Sequence, residues 1–329
     1  MARPLHTAPR RNLLAALAAV ALGAPAARGQ TGTWPDRPIR FVVPFAAGSG
    51  TDIVARLVGQ KLSEAVKQPV VVDNRVGASG AIAAAAVARA APDGYTVFIA
   101  TQTTQASNAG MFRKLPYDPL KDFEPVTLLG TIPLLLVVHP ALPARTVGEL
   151  LAHARAQPGK LSIGYGTGAA QVTAELFKTL GKADLLLVPY KSNPQALQAV
   201  IAGEIHMMVT DPGPSLALIE AGRVRALAVT TARRSPVAPQ LPTMIEAGLP
   251  GYELSAWYAA LLPAGTPAPV RDRLQAELAA VMAQPEVRQK LGTAGIEAAS
   301  SSPAQLGAFM AAELERWGGY IRSAGIVPE

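Results

Sequence analysis

No cysteine occurs anywhere in the 329 residues. Disulfides, thiolate metal sites, thiol nucleophiles and a lipid-modified N-terminal cysteine are excluded together. Aromatic residues make up only 5% of the chain, too few for the base-stacking platform that holds single-stranded nucleic acid. Histidine is rarer still. Its four positions, 6, 139, 153 and 206, form no His-Glu-x-x-His pattern, so the zinc-hydrolase motif is missing. Beyond residue 24 no stretch approaches the roughly 18 uninterrupted apolar residues of a membrane-spanning helix, so no stable membrane insertion of the mature chain is expected.

What charge there is turns out to be misplaced for a nucleic-acid partner. The formal net charge is +7, but Arg3, Arg10 and Arg11 lie in the first 26 residues, which hold no acid; without them the balance is +4, with no Lys/Arg cluster. That first segment, 1–26, has a basic start, the apolar run LLAALAAVALGA (13–24) and the small-residue pattern APA at 24–26. Together these read as a secretory signal peptide cleaved near Ala26. The adjacent arginines of RRNLL (10–14) fit a twin-arginine or a Sec route equally.

The remaining length, half of it hydrophobic, fits one large α/β domain or two smaller ones. Short β-branched runs alternate with longer amphipathic ones. Strands are predicted at 39–43, 69–72, 95–100, 134–138, 161–165, 185–188, 205–209 and 224–230. Helices are predicted at 52–66, 80–91, 147–156, 172–180, 194–202 and 215–221, followed by two or three C-terminal helices that include 270–283 and 303–324. Such alternation implies an α/β fold of parallel, doubly wound sheets. One echo stands out: IRFVVPFAAGSGTDIVARLV (39–58) and LSIGYGTGAAQVTAELFKTL (161–180) both run strand, glycine turn, helix. Two such units imply two similar lobes whose strand ends face a shared cleft.

In the first unit, Gly48 and Gly50 let backbone approach a ligand, the start of the helix favours an anion, and Ser49 and Thr51 add hydroxyls. A plain tight turn with Asp52 as helix cap explains the same residues. A phosphate loop is excluded by the missing Gly-Lys-Ser/Thr, and a dinucleotide fingerprint by the missing third glycine. Asp52 would repel a polyanion, so a small carboxylate suits this loop better than a triphosphate. The second loop, GYGTGAAQ (164–171), offers Thr167 and Gln171 as neutral donors. ATQTTQASN (100–108) follows another strand with a run of hydroxyls and amides. In VTDPGPS (209–215), Thr210 and Asp211 close a strand, and the acid either meets a ligand ammonium or caps the next helix, the cap being the simpler use. No catalytic residues and no metal ligands are marked: GASGA (77–81) is not a Gly-x-Ser-x-Gly elbow, and no His-Asp pair serves a nucleophile.

These stretches, with WPDRPIRFVVPFAAGSGTDIVARLV, VVVDNRVGASG, APDGYTVFIAT, LPYDPLKDFEPVTLLG, VPYKSNPQAL and RALAVTTARRSPVAPQLPTMIEAGLPGYE in order, resemble the periplasmic substrate-binding proteins of tripartite tricarboxylate transporters, the Bug family. The resemblance covers essentially the whole mature chain. It implies a type II periplasmic binding fold, with lobe 1 built from 34–127 plus 252–329 and lobe 2 from 128–251. It also implies a monomer in the periplasm that closes on a small-molecule carboxylate without a cofactor and without reaction chemistry, and passes it to integral-membrane transporter subunits. Carried over residue by residue, the ligand positions are Phe45, Ala46, Ala47, Gly48, Ser49, Thr51 and Asp52 in the first loop. They continue with Thr101, Gln102 and Thr103 after the third strand, Gly166, Thr167, Gly168, Ala169 and Gln171 in the second lobe, and Thr210 or Asp211. The chain departs from the family pattern at Ser49, where a second glycine is usual, and at Gln171, which takes the place of a histidine, so the ligand's identity stays open. Two other classes remain alongside: an exported α/β hydrolase or transferase using Asp52 or Asp211 as base, and a sensor that presents ligand to a membrane receptor.

Overall fold

The computed structural model describes residues 34–328. Arg37–Glu329 is one unit, separate from Met1–Asp36, and it contains both sheets. Segment 1–26, expected from the sequence to be a secretory signal, lies outside the described residues.

The first sheet starts from β1 (Ile39–Val43), buried at four of its five positions. A glycine loop leads into α1 (Gly50–Val66), whose Val54, Val58 and Leu62 recur every four residues on the buried face. Lys67, in the left-handed region, ends it. The chain returns as β2 (Val70–Asn74), then α2 (Ala81–Ala88) and β3 (Thr96–Thr101). β1 lies between β2 and β3, parallel to both. The alanine side chains of α2 let it lie close against Phe98 and Trp257. A π-helical turn, Thr103–Ser107, and a single turn α3 (Asn108–Met111) follow.

Two long strands went unpredicted. β4 (Phe123–Pro133) and β10 (Ser255–Pro263) pair antiparallel along their whole length, and β10 also pairs antiparallel with β3. Pro125, Gly130 and Pro133 interrupt the strand signal of the first. The second is buried from Trp257 to Pro263 and therefore lacks the polar alternation of a half-exposed strand. The sheet, β11-β4-β10-β3-β1-β2, is thus mixed, not purely parallel, with the short β11 (Glu297–Ala298) at its edge. The lobe boundary expected after residue 127 falls inside β4; the chain leaves this sheet only at Leu134.

The second sheet repeats the plan. It is built from β5 (Leu135–Val138), β6 (Ser162–Tyr165), β7 (Leu186–Pro189), β8 (Met207–Thr210) and β9 (Arg225–Val229) in the order β7-β6-β8-β5-β9. The intervening helices are α4 (Val147–Ala156), α5 (Gly168–Gly181), α6 (Asn193–Ala202) and α7 (Pro212–Glu220). In each sheet three parallel strands stand beside one antiparallel strand, β10 or β5, that has just crossed from the other sheet. The carboxyl ends of β1 and β3 therefore share a rim with the start of β10, and those of β6 and β8 share one with the start of β5. The crossings are knotted by Thr230. Its hydroxyl accepts from the Leu134 amide (3.1 Å) and donates to the Leu254 carbonyl (2.6 Å), while its own amide donates to the Leu134 carbonyl (2.9 Å).

Helices α8 (Ala268–Ala283) and α9 (Pro285–Thr293) precede α10 (Pro303–Ser323). At ~1.5 Å per residue, α10 is long enough to reach across both lobes. Leu306 and Met310 pack with the first sheet's core, and Trp317 and Ile321 with the second's. The C-terminal segment expected in lobe 1 thus contributes to both cores.

One polar cluster in the second sheet makes stability depend on pH. His206 Nδ1 accepts from the Ser162 amide (3.1 Å) and lies 2.9 Å from Ser162 Oγ. A ring nitrogen that accepts an amide proton is unprotonated. Burial, then His139 and His153, push this histidine below its ordinary 6.5. The folded chain therefore takes up the proton less readily than the unfolded chain. Stability is unaffected above the ordinary value and is lost as pH falls through the lowered one. The Tm should fall on acidification from about pH 7.5 to 5, and His206→Gln should flatten that profile in a thermal melt. An equally steep decline in the variant would assign the effect elsewhere.

Candidate functional site

The first rim is built around a capped helix start. Ser49 Oγ accepts from the Asp52 amide (3.3 Å), so the first-turn amides of Gly50 and Thr51 keep no intrahelical acceptor. Asp52 is buried and committed. One oxygen accepts from the Gly48 amide and Arg56 Nε, both at 2.9 Å, and the other from Asn74 Nδ2 at 2.9 Å. Burial acts to raise its pKa, but the bonds from Arg56, the Gly48 amide and Asn74 outweigh it and hold the carboxyl below its ordinary value. Asn74 Nδ2 also donates to the Phe45 carbonyl (2.9 Å), which fixes the loop from both ends. Ala46, Ala47 and Gly48 are exposed at its tip.

Beside this loop, Thr101 and Thr104 exchange amide-to-hydroxyl bonds (3.2 and 3.3 Å) at the turn out of β3. Gln102, between them, is 2% exposed, and its Nε2 has no partner. Thr103 is half-buried. Tyr258, opposite Thr101 on β10, brings its hydroxyl to Thr51 and against Gly50, where a β-carbon would collide with it. That approach explains the glycine at the head of α1.

The second rim mirrors the first. Thr167 Oγ1 accepts from the Ala170 amide (3.1 Å) and caps α5, leaving the amides of Gly168 and Ala169 at the helix start. Gly166 lies so close to the backbone of Ser192 and Asn193 that no side chain fits, and its amide donates to Asn193 Oδ1 (3.0 Å). The Asn193 side chain also bonds Asp211. Gln171 is half-buried, one turn into α5. Thr210 is 1% exposed and its hydroxyl has no partner.

Asp211 stands at the N-cap of α7 but does not cap it. The helix opens Pro212-Gly213-Pro214, so two of its first three residues have no N–H to give. Burial pushes the Asp211 carboxyl up, a hydrogen bond from Asn193 partly offsets this, and the carboxylate lies near enough to Tyr258 to raise that hydroxyl's pKa beyond the effect of burial. Asp211, on the second rim, and Tyr258, on the first, thus lie within electrostatic reach of each other. Nearby, Pro212 and Gly213 pack against Ala294 and Gly295, and Gly168 approaches Met111.

A family model described as the tripartite tricarboxylate transporter family receptor matches residues 54–326. The chain belongs to this receptor family. The receptor is 32% identical to protein BugT of Bordetella pertussis over 296 residues, 89% of this chain and 91% of that one. Its structure is similar to that of Rpa4515 of R. palustris with adipate, at 39% identity and a TM-score of 0.83, covering 90% of this chain and all of that one. It is similar as well to MatC of Rhodopseudomonas palustris with bound malate, at 32% identity and a TM-score of 0.77, covering 88% of this chain and all of that one. The two-sheet architecture is accordingly the type II periplasmic binding fold.

In this receptor the sequence-predicted positions fall into two groups. The loop residues 45–49 and 51, Thr101–Thr103, 166–169, Gln171, Thr210 and Asp211 lie at the two facing strand-end rims, whereas the Asp52 carboxylate is spent inside its own loop. Asn193 and Tyr258 were not legible. Tyr258 sits in the unpredicted β10, and Asn193 reads as the ordinary start of a helix. Among the described residues no helix is long and apolar enough to cross a membrane, and no group of three His, Cys, Asp or Glu could hold a metal ion.

Proposed function

We propose that this receptor captures a small organic acid in the periplasm, anchoring a carboxylate between the starts of α1 and α5, and delivers it to the membrane subunits of a tripartite tricarboxylate-type transporter. The observation that carries this reading is the pairing of Ser49 and Thr167. Each caps its helix with its own hydroxyl, which leaves two first-turn amides per lobe at the strand-end rim. Amides and the positive helix end together favour an anion. Gln102 Nε2 and Thr210 Oγ1, both buried and unpartnered, add hydrogen-bonding groups that a polar ligand would satisfy. The two structural relatives hold adipate and malate, both small carboxylates.

Capture without chemistry also suits the acids. Asp52 already accepts three hydrogen bonds, from the Gly48 amide, Arg56 and Asn74, which hold it inside its own loop. Closure follows only if ligand binds the closed arrangement better than the open one. A micromolar affinity requires about 8 kcal/mol, within reach of several charge-assisted hydrogen bonds in a desolvated cleft. A thermal-shift screen against mono-, di- and tricarboxylates, amino acids and aromatic acids tests it. Saturation at about 100 times the Kd should stabilise the protein by roughly 2.7 kcal/mol, with the ligand recovered unchanged. A panel without a single hit would defeat the proposal.

A further inference from the structure

Tyr258 enters the first rim from the sheet itself. Along β10, Trp257, Ala259 and Leu261 face the core that holds the alanines of α2, so Tyr258 between them points to the opposite face, where its hydroxyl meets the head of α1. It pairs with Thr101, the last residue of β3, and so stands at the level of the strand ends. Just beyond it, between Tyr258 and Ala259, the pairing with β4 slips by one residue, Leu129 being the extra one. Bulges of this kind re-aim side chains beside functional sites. The hydroxyl lies so close to Gly50 that a β-carbon there would collide with it and come within 3.5 Å of Cζ. Gly50 is not among the glycines of positive φ. Its backbone would accept any residue, and what demands a glycine at the head of α1 is the tyrosine hydroxyl.

The hydroxyl therefore joins the first-turn amides of Gly50 and Thr51, which keep no intrahelical acceptor. Three donors gather at one helix start: two main-chain amides and a phenol that stays protonated far above neutral pH. A carboxylate, acceptor-only and with two oxygens, can receive from all three. Building on the carboxylate-receptor reading, we propose that Tyr258 is a ligand-contacting residue whose hydroxyl donates to the carboxylate held at the start of α1. Its setting suits that task. The tip of the first loop is exposed, whereas β10 is buried from Trp257 to Pro263 and is anchored four residues before Tyr258, where the Leu254 carbonyl accepts from Thr230. A donor fixed on such a strand needs little ordering when the ligand arrives, and a bond to an ionised acceptor is among the stronger ones.

Titration calorimetry of the wild type and Tyr258→Phe with adipate, malate, succinate and benzoate tests this, because phenylalanine keeps the ring and removes only the hydroxyl. For the acid that the wild type binds most tightly, Tyr258→Phe should raise the Kd about tenfold. The Tm of the ligand-free variant should stay within about 2 °C of wild type. If the hydroxyl instead serves a partner inside the protein, such as Thr51 or Asp211, the variant loses Tm and keeps its Kd within about twofold. That result overturns the inference and leaves the carboxylate-receptor reading standing. Crystals of the wild type with the same acid decide the matter independently of the variant's folding: a carboxylate oxygen within about 3 Å of the Tyr258 hydroxyl supports the contact, and one beyond about 4 Å overturns it. A wild type that binds no acid, in this set or in the thermal-shift panel, defeats the reading and the inference together.

Discussion

Replacing Gly166 with alanine should weaken ligand capture about 100-fold while leaving both sheets folded. A β-carbon at this position would overlap the backbone of Ser192 and Asn193, which cannot rotate aside as a side chain would. The loop must then move off α6, and three features go with it: the bond from the Gly166 amide to Asn193, the hold of Asn193 on Asp211, and the position of the α5 start. Overpacking of this kind costs about 1–3 kcal/mol of stability. Affinity should fall about 100-fold, roughly 2.7 kcal/mol, because the loss falls on the α5 amides proposed to hold the anion. Calorimetry with the best carboxylate, together with a urea melt, separates the two. Gly292→Ala is the control, since its methyl meets open space inside α9. Affinity within threefold of wild type in Gly166→Ala would show that the second loop does not hold the ligand.

Trp257→Ala should cost about 3–5 kcal/mol of stability, the range for emptying a large aromatic site in a core. Trp257 is fully buried, packs edge-on against Phe309 at 5.3 Å and lies among the alanines of α2. It also donates through Nε1 to Glu313 Oε2 (3.0 Å), on the helix that joins the two cores. Glu313 is 2% exposed. Burial pushes its carboxyl up, and the bond from Trp257 and the charge of Arg316 pull it back. Trp257→Phe should therefore behave differently from the alanine variant. It keeps most of the packing but leaves the acid with less support, so its deficit should grow as pH rises and Glu313 ionises. A carboxyl whose folded-state pKa is raised contributes stability when protonated and loses it as pH rises through that value. Urea melts of both variants at two pH values measure this. A Trp257→Phe deficit that does not change with pH would show that the Glu313 bond carries no net weight.

Gly166 and Trp257 also mark where reading the chain succeeds and where it stops. The glycines at 48, 50, 166 and 168 were legible because a strand, a small-residue turn and a helix start are local events, written in consecutive residues. The repetition of that unit across 39–58 and 161–180 was enough to announce two lobes with facing rims. Asp52 was legible as a residue of the loop but not in its role. The Arg56 and Gly48 partners lie within four residues, yet Asn74 comes from the next strand and closes the set.

What the sequence by itself determined was the alternation of strands and helices, the two glycine loops, the exclusion of thiol chemistry and the family. All of these depend on residue type and short spacing. Only the tertiary structure decided that β4 and β10 join the first sheet, because Pro125, Gly130 and Pro133 break up the signal of the first and the second, buried from Trp257 to Pro263, carries no alternating pattern. Only it decided that α10 belongs to both cores, since the partners of Leu306 and Trp317 are set by packing. It also decided that Asp211 is free of its helix while Tyr258 stands across from it. A hydrogen bond or a repulsion between residues 47 positions apart in sequence leaves no trace in either neighbourhood; it exists only once the two rims meet.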